Sequence, residues 1–211
     1  MGSLDYDRQL MLDEHLRRRN VCDQAVLDAM WEVPRERFVT PDMVPMAYAD
    51  RALPIGHGQT ISQPYIVALV AQSLDLSGDE NVLEVGAGSG YMAAILGRLA
   101  RRVIGIEMVE ELAWQARERM RELGADHVDI ETGDGRRGWL PEAPYDAVVV
   151  SAAAPEVPPA LVEQLALGGR LIMPLGHELE TQQLTRIDKD ETGLQSRVLC
   201  PCKFVPLLGG W

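Results

Sequence analysis

The sequence predicts an α/β fold: a mostly parallel central sheet with helices on both faces, an added N-terminal helical segment and a C-terminal β-hairpin. Three observations carry this. From residue 81 to residue 175, short β-type runs alternate with helical ones, as in a parallel sheet whose crossovers are helices. Within that stretch, Val82-Leu83-Glu84-Val85 leads straight into Gly86-Ala87-Gly88-Ser89-Gly90-Tyr91, a buried strand followed by a glycine turn and a helix start. Beyond residue 175 the helical period is lost, and two β-type runs flank the polar Asp188 to Gly193.

Residues 4 to 33 carry a helical pattern, with Leu4, Leu10, Met11 and Leu16, then Val26, Leu27 and Met30, stopped by Pro34. Five prolines from Pro34 to Pro64, with Gly56 and Gly58, predict a long ordered loop, and loops of that length in compact domains tend to be functional. Pro64 suits the first turn of a helix whose apolar stripe (Ile66, Val67, Leu69, Val70, Leu74) runs to about Leu76. The predicted alternation is then strand Asn81 to Val85, helix Tyr91 to Ala100, strand Arg102 to Glu107 and helix Val109 to Leu123. It continues with a strand near His127 to Glu131, the buried-type run Asp146 to Val150, a short helix around Ala160 to Leu167 and a strand Arg170 to Leu175. The hairpin is expected over Gln182 to Ile187 and Arg197 to Val205. A chain of 211 residues with 46% hydrophobic and 25% charged residues fits one domain. Within it, 1–76 form the helical and lid segment, 77–175 the ligand-binding core and 176–211 the hairpin.

Composition narrows the function classes. Twenty basic against 32 acidic residues give a net charge of −12, and the densest basic run, Arg17-Arg18-Arg19, reads as cations at a helix end. A nucleic-acid partner is therefore not expected, because phosphate neutralisation needs clustered Lys and Arg. No apolar run approaches the roughly 20 residues of a membrane helix, and the first residues lack the pattern of a signal peptide. The expectation is a monomeric cytoplasmic protein without a membrane partner. Cys22, Cys200 and Cys202 make an odd count that suits free thiols. Cys200-Pro201-Cys202 lacks the further ligands a zinc site demands, so no metal is expected.

The residues that could carry chemistry lie at the ends of the predicted strands. Glycines in the Gly86 to Gly90 turn let backbone approach a ligand, but a dinucleotide fingerprint wants a third glycine where Tyr91 stands, which weakens a nicotinamide reading. Glu107 ends the next strand, 21 residues after Gly86, where a carboxylate meets both hydroxyls of a ribose. Asp134, between two glycines after the third strand, is placed to accept from the amine of adenine. Singly, each acid reads as a solvated or capping group; together they form a nucleoside site, since open α/β sheets bind ligands at that edge. Asp79, Asp146 and Asp13-Glu14 read as surface or capping groups.

The chain resembles the class I S-adenosylmethionine-dependent methyltransferases, and within them the protein-L-isoaspartate (D-aspartate) O-methyltransferase family. The resemblance rests on Leu53 to Tyr65 (LPIGHGQTISQPY), Glu84 to Tyr91, Gly133-Asp134-Gly135 and Tyr145-Asp146-Ala147. Ala152-Ala153-Ala154-Pro155 with Pro158, Gly168-Gly169-Arg170-Leu171 and Phe204-Val205-Pro206-Leu207 extend it over most of the chain. The resemblance implies a Rossmann-like fold and S-adenosyl-L-methionine as cofactor. It implies a cofactor site of Gln59, Thr60, Ile61, Glu84, Gly86, Gly88, Gly90, Glu107, Met108, Asp134 and Gly135. It also places Ser62 beside the accepting carboxylate, in isoaspartyl-containing proteins and peptides. Methyl transfer to the free carboxylate of an L-isoaspartyl or D-aspartyl residue would then allow collapse to a succinimide and reopening to normal aspartate.

The chemistry is compatible, for a carboxylate with a pKa of about 4 is already nucleophilic at neutral pH and needs no general base. The enzyme must supply in-line approach and desolvation. Ser62 fits as a donor that orients the carboxylate, whereas on local sequence alone it reads as a helix cap before Pro64. His57, between glycines, reads as structural. Three rivals remain open: the same fold acting on another carboxylate, such as a modified peptide or small metabolite; a non-catalytic cofactor-binding adaptor; and a nicotinamide dehydrogenase, disfavoured by Tyr91.

Overall fold

The computed structural model describes residues 3–177 and 180–209. Helix α1 (Ser3–Leu10) continues into a wider π-helical turn at Met11–Leu16 and a tight 3-10 turn at Arg17–Arg19. Asn20 ends this run in the left-handed region at φ 65°, a conformation that Asn tolerates better than most residues. Helix α2 (Gln24–Glu32) follows, with the side chain of its N-cap Asp23 accepting from the Val26 amide at 3.2 Å.

The stretch from Pro34 to Pro64 departs from the expected loop. It holds two 3-10 turns, Arg35–Phe38 and Pro41–Met46, and an antiparallel pair, β1 (Leu53–Gly56) and β2 (Gln59–Ile61). The prolines take positions where a missing N–H costs little: Pro41 opens a turn, Pro54 lies on the exposed face of β1, and Pro64 is the first residue of helix α3 (Pro64–Leu74). Strands of four and three residues are too short to show a two-residue period.

The main sheet has seven strands: β3 (Asn81–Val85), β4 (Arg102–Glu107), β5 (Val128–Thr132), β6 (Tyr145–Val150), β7 (Leu165–Leu175), β8 (Gln182–Asp190) and β9 (Gly193–Cys202). Their spatial order is β5-β4-β3-β6-β7-β8-β9, parallel from β5 to β7 and antiparallel through β8 and β9. The crossovers carry helices α4 (Tyr91–Leu96), α5 (Glu110–Glu122) and α6 (Pro159–Gln164). Helix α4 stops at Leu96 instead of Ala100, at Gly97, where any Cβ would lie 2.5 Å from Val128 Cγ2. Helix α6 is likewise shorter than expected, because the chain enters β7 already at Leu165. Gly168 at φ 80° absorbs the resulting register jump, in which Tyr145 pairs with Leu165 but Ala147 with Arg170. The last strand lies earlier than predicted, at 193–202.

Helices cover the two faces unequally. Side chains of α1 to α5 pack with Val82, Val103, Val149 and Ile172 on one face, while Leu161 of α6 packs with Leu83, Val85, Ile104 and Val148 on the other. The N-terminal segment is tied on by polar contacts as well. Arg8 donates to Tyr48 Oη (2.7 Å), the Trp31 carbonyl (2.9 Å) and Glu36 (3.1 Å). Gln72 of α3 accepts from the Cys22 and Asp23 amides at 2.7 and 2.9 Å and donates to the Asn20 carbonyl at 3.2 Å. Among the described residues no helix is long and apolar enough to cross a membrane.

Candidate active site

The order of strands reverses at β3, which has β4 on one side and β6 on the other, and the carboxyl ends of such a pair form the crevice where open α/β sheets bind ligands. The turn at that point is set by backbone. Gly86 and Gly88 lie at φ 80° and 53°, and the amides of Gly86 and Ala87 share the Ile106 carbonyl at 2.8 and 3.0 Å. A Cβ on Gly88 would come within 3.3 Å of Ile55 Cδ1, so the β1–β2 hairpin lies directly over the turn.

Glu107, at the end of β4, is buried and bridges the turn to the start of α5. Its Oε2 accepts from the Gly88 amide at 2.7 Å and its Oε1 from the Val109 amide at 2.8 Å. Each oxygen keeps a second lone pair for a ligand hydroxyl. Glu84, on β3, is more deeply buried; its Oε1 accepts from Ser151 Oγ at 3.1 Å, while its Oε2 is buried with no partner. Burial pushes its pKa up to about 8; the Ser151 hydrogen bond opposes that rise and the Glu107 charge adds to it. An orphaned carboxyl oxygen at a cleft wall is a group that a bound ligand can satisfy.

Ser62 lies between β2 and α3. It does not cap α3: the N-cap is Gln63, with no side-chain capping bond. The capping role is therefore removed, and Ser62 Oγ makes no hydrogen bond within the described residues. Its carbonyl is instead gripped by Arg35 Nη2 at 2.8 Å.

Three connected cavities meet here. Two of them contain Gly86, Gly88, Thr60 and Ser151 in their walls; one adds Ile61, Ser62, Glu84 and Tyr91, the other Gln59, Glu107, Met108, Gly135 and the tail residues Val205 to Leu208. Neither contains a Lys, Arg or His, and their only acidic side chains are Glu84 and Glu107. The third cavity opens on the other side of Ser62, with Arg19, Lys203, Tyr65, Cys200, Cys202 and Phe204 in its wall. Arg19 stacks on the Tyr65 ring, 3.3 Å from its centroid, and pairs with Asp50 at 3.0 Å. Ser62 thus stands where an acid-lined cavity meets a cleft with a basic mouth.

Not every expected residue faces the cleft. Asp134 is engaged by Arg136, whose Nε and Nη2 donate to its two oxygens at 3.0 and 2.7 Å; this pairing holds its carboxyl below the usual range. Its neighbours Gly133 and Gly135 line the cleft instead. Gly135 has to be glycine because a Cβ there would collide with Val85 Cγ1. Gly90, at φ 86°, caps α4, and a Cβ on it would meet Ala116 and Met120 of α5 at 3.1 Å; it packs helices together rather than lining the cavity. His57 is exposed in the β1–β2 turn at φ 53°. Asp146 accepts from the Asn81 amide at 2.8 Å, a structural cap. Among the described residues no group of three or more His, Cys, Asp and Glu is placed to hold a metal.

Sequence reasoning missed Ser151, which touches all three cavities; the tail Phe204 to Leu207 was marked by the family resemblance but not placed among the site residues. The signal for Ser151 was there: a polar residue directly after the buried run Val148-Val149-Val150, at the carboxyl end of a central strand. The tail is held by two main-chain bonds, Ala153 amide to Val205 carbonyl and Leu207 amide to Ala153 carbonyl, both 2.8 Å, and by the buried Gln182 side chain, which accepts from the Phe204 amide at 2.6 Å and donates to its carbonyl at 3.1 Å.

Comparison with known proteins agrees with this geometry. The model of the protein-L-isoaspartate(D-aspartate) O-methyltransferase family matches residues 7–210. Protein-L-isoaspartate O-methyltransferase 2 of Pelobacter propionicus is 49% identical over 98% of this chain and 93% of its own. The Methanoculleus marisnigri protein-L-isoaspartate O-methyltransferase is 45% identical over 97% and 94%. A solved protein-L-isoaspartate O-methyltransferase superposes with a TM-score of 0.87 at 30% identity, covering 96% of this chain and 66% of that one. A Plasmodium falciparum protein described as the same enzyme, solved with S-adenosyl-L-homocysteine, gives a TM-score of 0.81 at 27% identity over 96% and 98%. With a family match over almost its whole length and relatives near half identity, the chain belongs to the protein-L-isoaspartate(D-aspartate) O-methyltransferase family.

Proposed function

We infer that this chain transfers a methyl group from S-adenosyl-L-methionine to the free carboxylate of L-isoaspartyl or D-aspartyl residues in damaged proteins and peptides. The observation that carries the reading is the change of charge across Ser62: acids alone on the glycine-turn side, cations at the mouth of the other cleft. The first environment suits a cation with ribose hydroxyls and repels a pyrophosphate, which disfavours a nicotinamide dinucleotide; the second suits an anionic acceptor.

The residues present fit the cofactor. Glu107 has lone pairs left for two hydroxyls, Glu84 has a buried acceptor without a partner, and the Gly86 to Gly88 backbone permits close approach. When bound, S-adenosyl-L-methionine supplies an electrophilic methyl on a sulfonium. Ser62 Oγ donates to one oxygen of the acceptor carboxylate and leaves the other free to attack. The hairpin over the turn and the tail Val205 to Leu208 exclude water, so the carboxylate loses competing hydration. No side chain has to move a proton, which suits the exposed position of His57. Asp134, already held by Arg136, acts on the adenine amine only through lone pairs left over from that pairing. The three described cysteines are unpaired, which supports a reducing, cytoplasmic compartment.

The test pairs two peptides that differ only in L-isoaspartate against L-aspartate and measures methyl ester formed from S-adenosyl-L-methionine. Selective labelling of the isoaspartyl peptide is expected. Equal or absent labelling, with cofactor binding intact, would redirect the search to other carboxylates or to an adaptor role.

A further inference from the structure

Among the described residues Arg35 is the only basic side chain that is buried, and none of its surface is exposed. It has no carboxylate partner. Its Nε donates to the Ala47 carbonyl at 2.7 Å, its Nη2 to the Ser62 carbonyl at 2.8 Å, and its Nη1 is buried without a hydrogen bond. The guanidinium lies 4.8 Å from the centroid of the Tyr91 ring. Burial pulls its pKa down, and the fields of Tyr91, Tyr48 and Asp50 oppose that pull.

A cation held this way is a costly means of stabilising a fold, because desolvation of a charge is only partly offset by neutral carbonyls. What the arrangement does supply is position. Arg35 comes from the N-terminal segment and holds two points of the chain 12 and 27 residues further on. The second of these is the backbone of Ser62. Tyr91 is the first residue after the glycine turn, packs edge-on against Phe38 with centroids 5.3 Å apart, and shares a cavity wall with Ser62. The guanidinium therefore spans from the backbone of the acceptor side to the first helical turn of the cofactor side.

We propose that Arg35 is a positioning residue for methyl transfer: by gripping the Ser62 carbonyl while lying on Tyr91, it fixes Ser62 Oγ relative to the glycine turn, and so the acceptor oxygen relative to the methyl group. This inference rests on the role given to Ser62 above. Lysine keeps the charge but, with a single nitrogen, cannot hold both carbonyls in the geometry of the fork; glutamine removes the charge and the reach.

The test is a double-mutant cycle on the full chain. Arg35→Lys, Arg35→Gln, Ser62→Ala and the two combinations are assayed on an isoaspartyl peptide. Turnover is normalised to S-adenosyl-L-homocysteine binding sites measured by calorimetry, so unfolded protein is not counted. Arg35→Gln is expected to lower kcat by on the order of 10- to 100-fold, as for a misplacement of about 1 Å, with S-adenosyl-L-homocysteine affinity unchanged within about twofold. Arg35→Lys should recover part of that loss, and should Arg35→Gln be insoluble, the Lys variant carries the cycle. On the Ser62→Ala background the Arg35 substitutions should change kcat by less than about twofold, because a residue acting through Ser62 has nothing left to position. A full, multiplicative loss on that background, or a parallel loss of cofactor affinity, would reduce Arg35 to a structural role and overturn the proposal while leaving Ser62 in place. An unchanged rate in Ser62→Ala alone would remove the role of Ser62, and the inference with it.

Discussion

The two sides of the cleft are built by different means. On the cofactor side the glycine turn does its work by main chain: glycines at positive φ, shared carbonyls, and one carboxylate, Glu107, that ties the Gly88 and Val109 amides. On the acceptor side the parts come from distant places and are joined by side chains: Arg19 to Asp50 and Tyr65, Arg35 to Ala47 and Ser62. A main-chain cradle tolerates little variation in shape and holds a constant ligand. A surface assembled from side chains can be altered one residue at a time, which suits an acceptor embedded in varied proteins.

Four outcomes would sharpen or break that contrast. The largest effect is expected at Glu107→Ala, which removes the proposed ribose acceptor and both amide ties at once. Charge-assisted hydrogen bonds of about 1.5 to 3 kcal/mol predict a loss of S-adenosyl-L-methionine affinity of about 100-fold, measured by calorimetry. Retained affinity would move the ribose elsewhere. Next is Ser62→Ala, where kcat should fall by about tenfold or more while S-adenosyl-L-homocysteine affinity holds, since a single orienting hydrogen bond contributes about 1.5 kcal/mol. Equal losses in both would place Ser62 on the cofactor side.

The third concerns Glu84. Its pKa is raised from 4.5 to about 8 by burial, so the folded protein holds a proton that the unfolded chain has released. Stability from this group is present below about 4.5 and is lost as pH rises towards about 8, by up to about 1.4 kcal/mol for each pH unit. Melting temperatures at pH 5.5 and 8 should therefore diverge more in the wild type than in Glu84→Gln. Identical slopes would mean that Glu84 is ionised throughout. The smallest effect is expected at Lys203→Ala, at the mouth of the acceptor cleft. KM for an isoaspartyl peptide should rise about two- to threefold at low salt and the difference should vanish at high salt, as for any solvent-exposed charge. A change in cofactor affinity would contradict the division of the cleft.

The same contrast explains what was legible in advance. Strands β3 and β4 lie where the sequence places them, because a fully buried strand reads as an unbroken apolar run and the glycine turn ends it sharply. The β1–β2 hairpin was hidden by its brevity and prolines, and the early start of β7 by Gly168 and Gly169, which look like a break but serve as a bulge. Glu107 could be named because position relative to a strand end carries chemical meaning, whereas Ser62 and Glu84 came only with the family resemblance, Ser62 reading locally as a helix cap. Arg35 could not, since a buried arginine looks like any surface arginine until the chain closes over it. The pairing of Asp134 with Arg136 was equally hidden: two residues apart in a turn, their facing each other depends on the backbone of that turn.

Gln72 has a bearing on the order in which the molecule is made. The helix break at Asn20 is closed by a side chain 49 to 52 residues downstream, and α2 packs against α3, which carries that side chain, and α4, which comes later still. During synthesis at about 5 to 20 residues per second, the first helices emerge several seconds before their cap exists. The N-terminal third is thus the first to leave the ribosome and among the last to be secured, which makes it the segment with the longest exposure to chaperones and proteases. Shortening that interval, by giving the Asn20 break a local cap of its own, should raise the yield of folded protein without altering its activity.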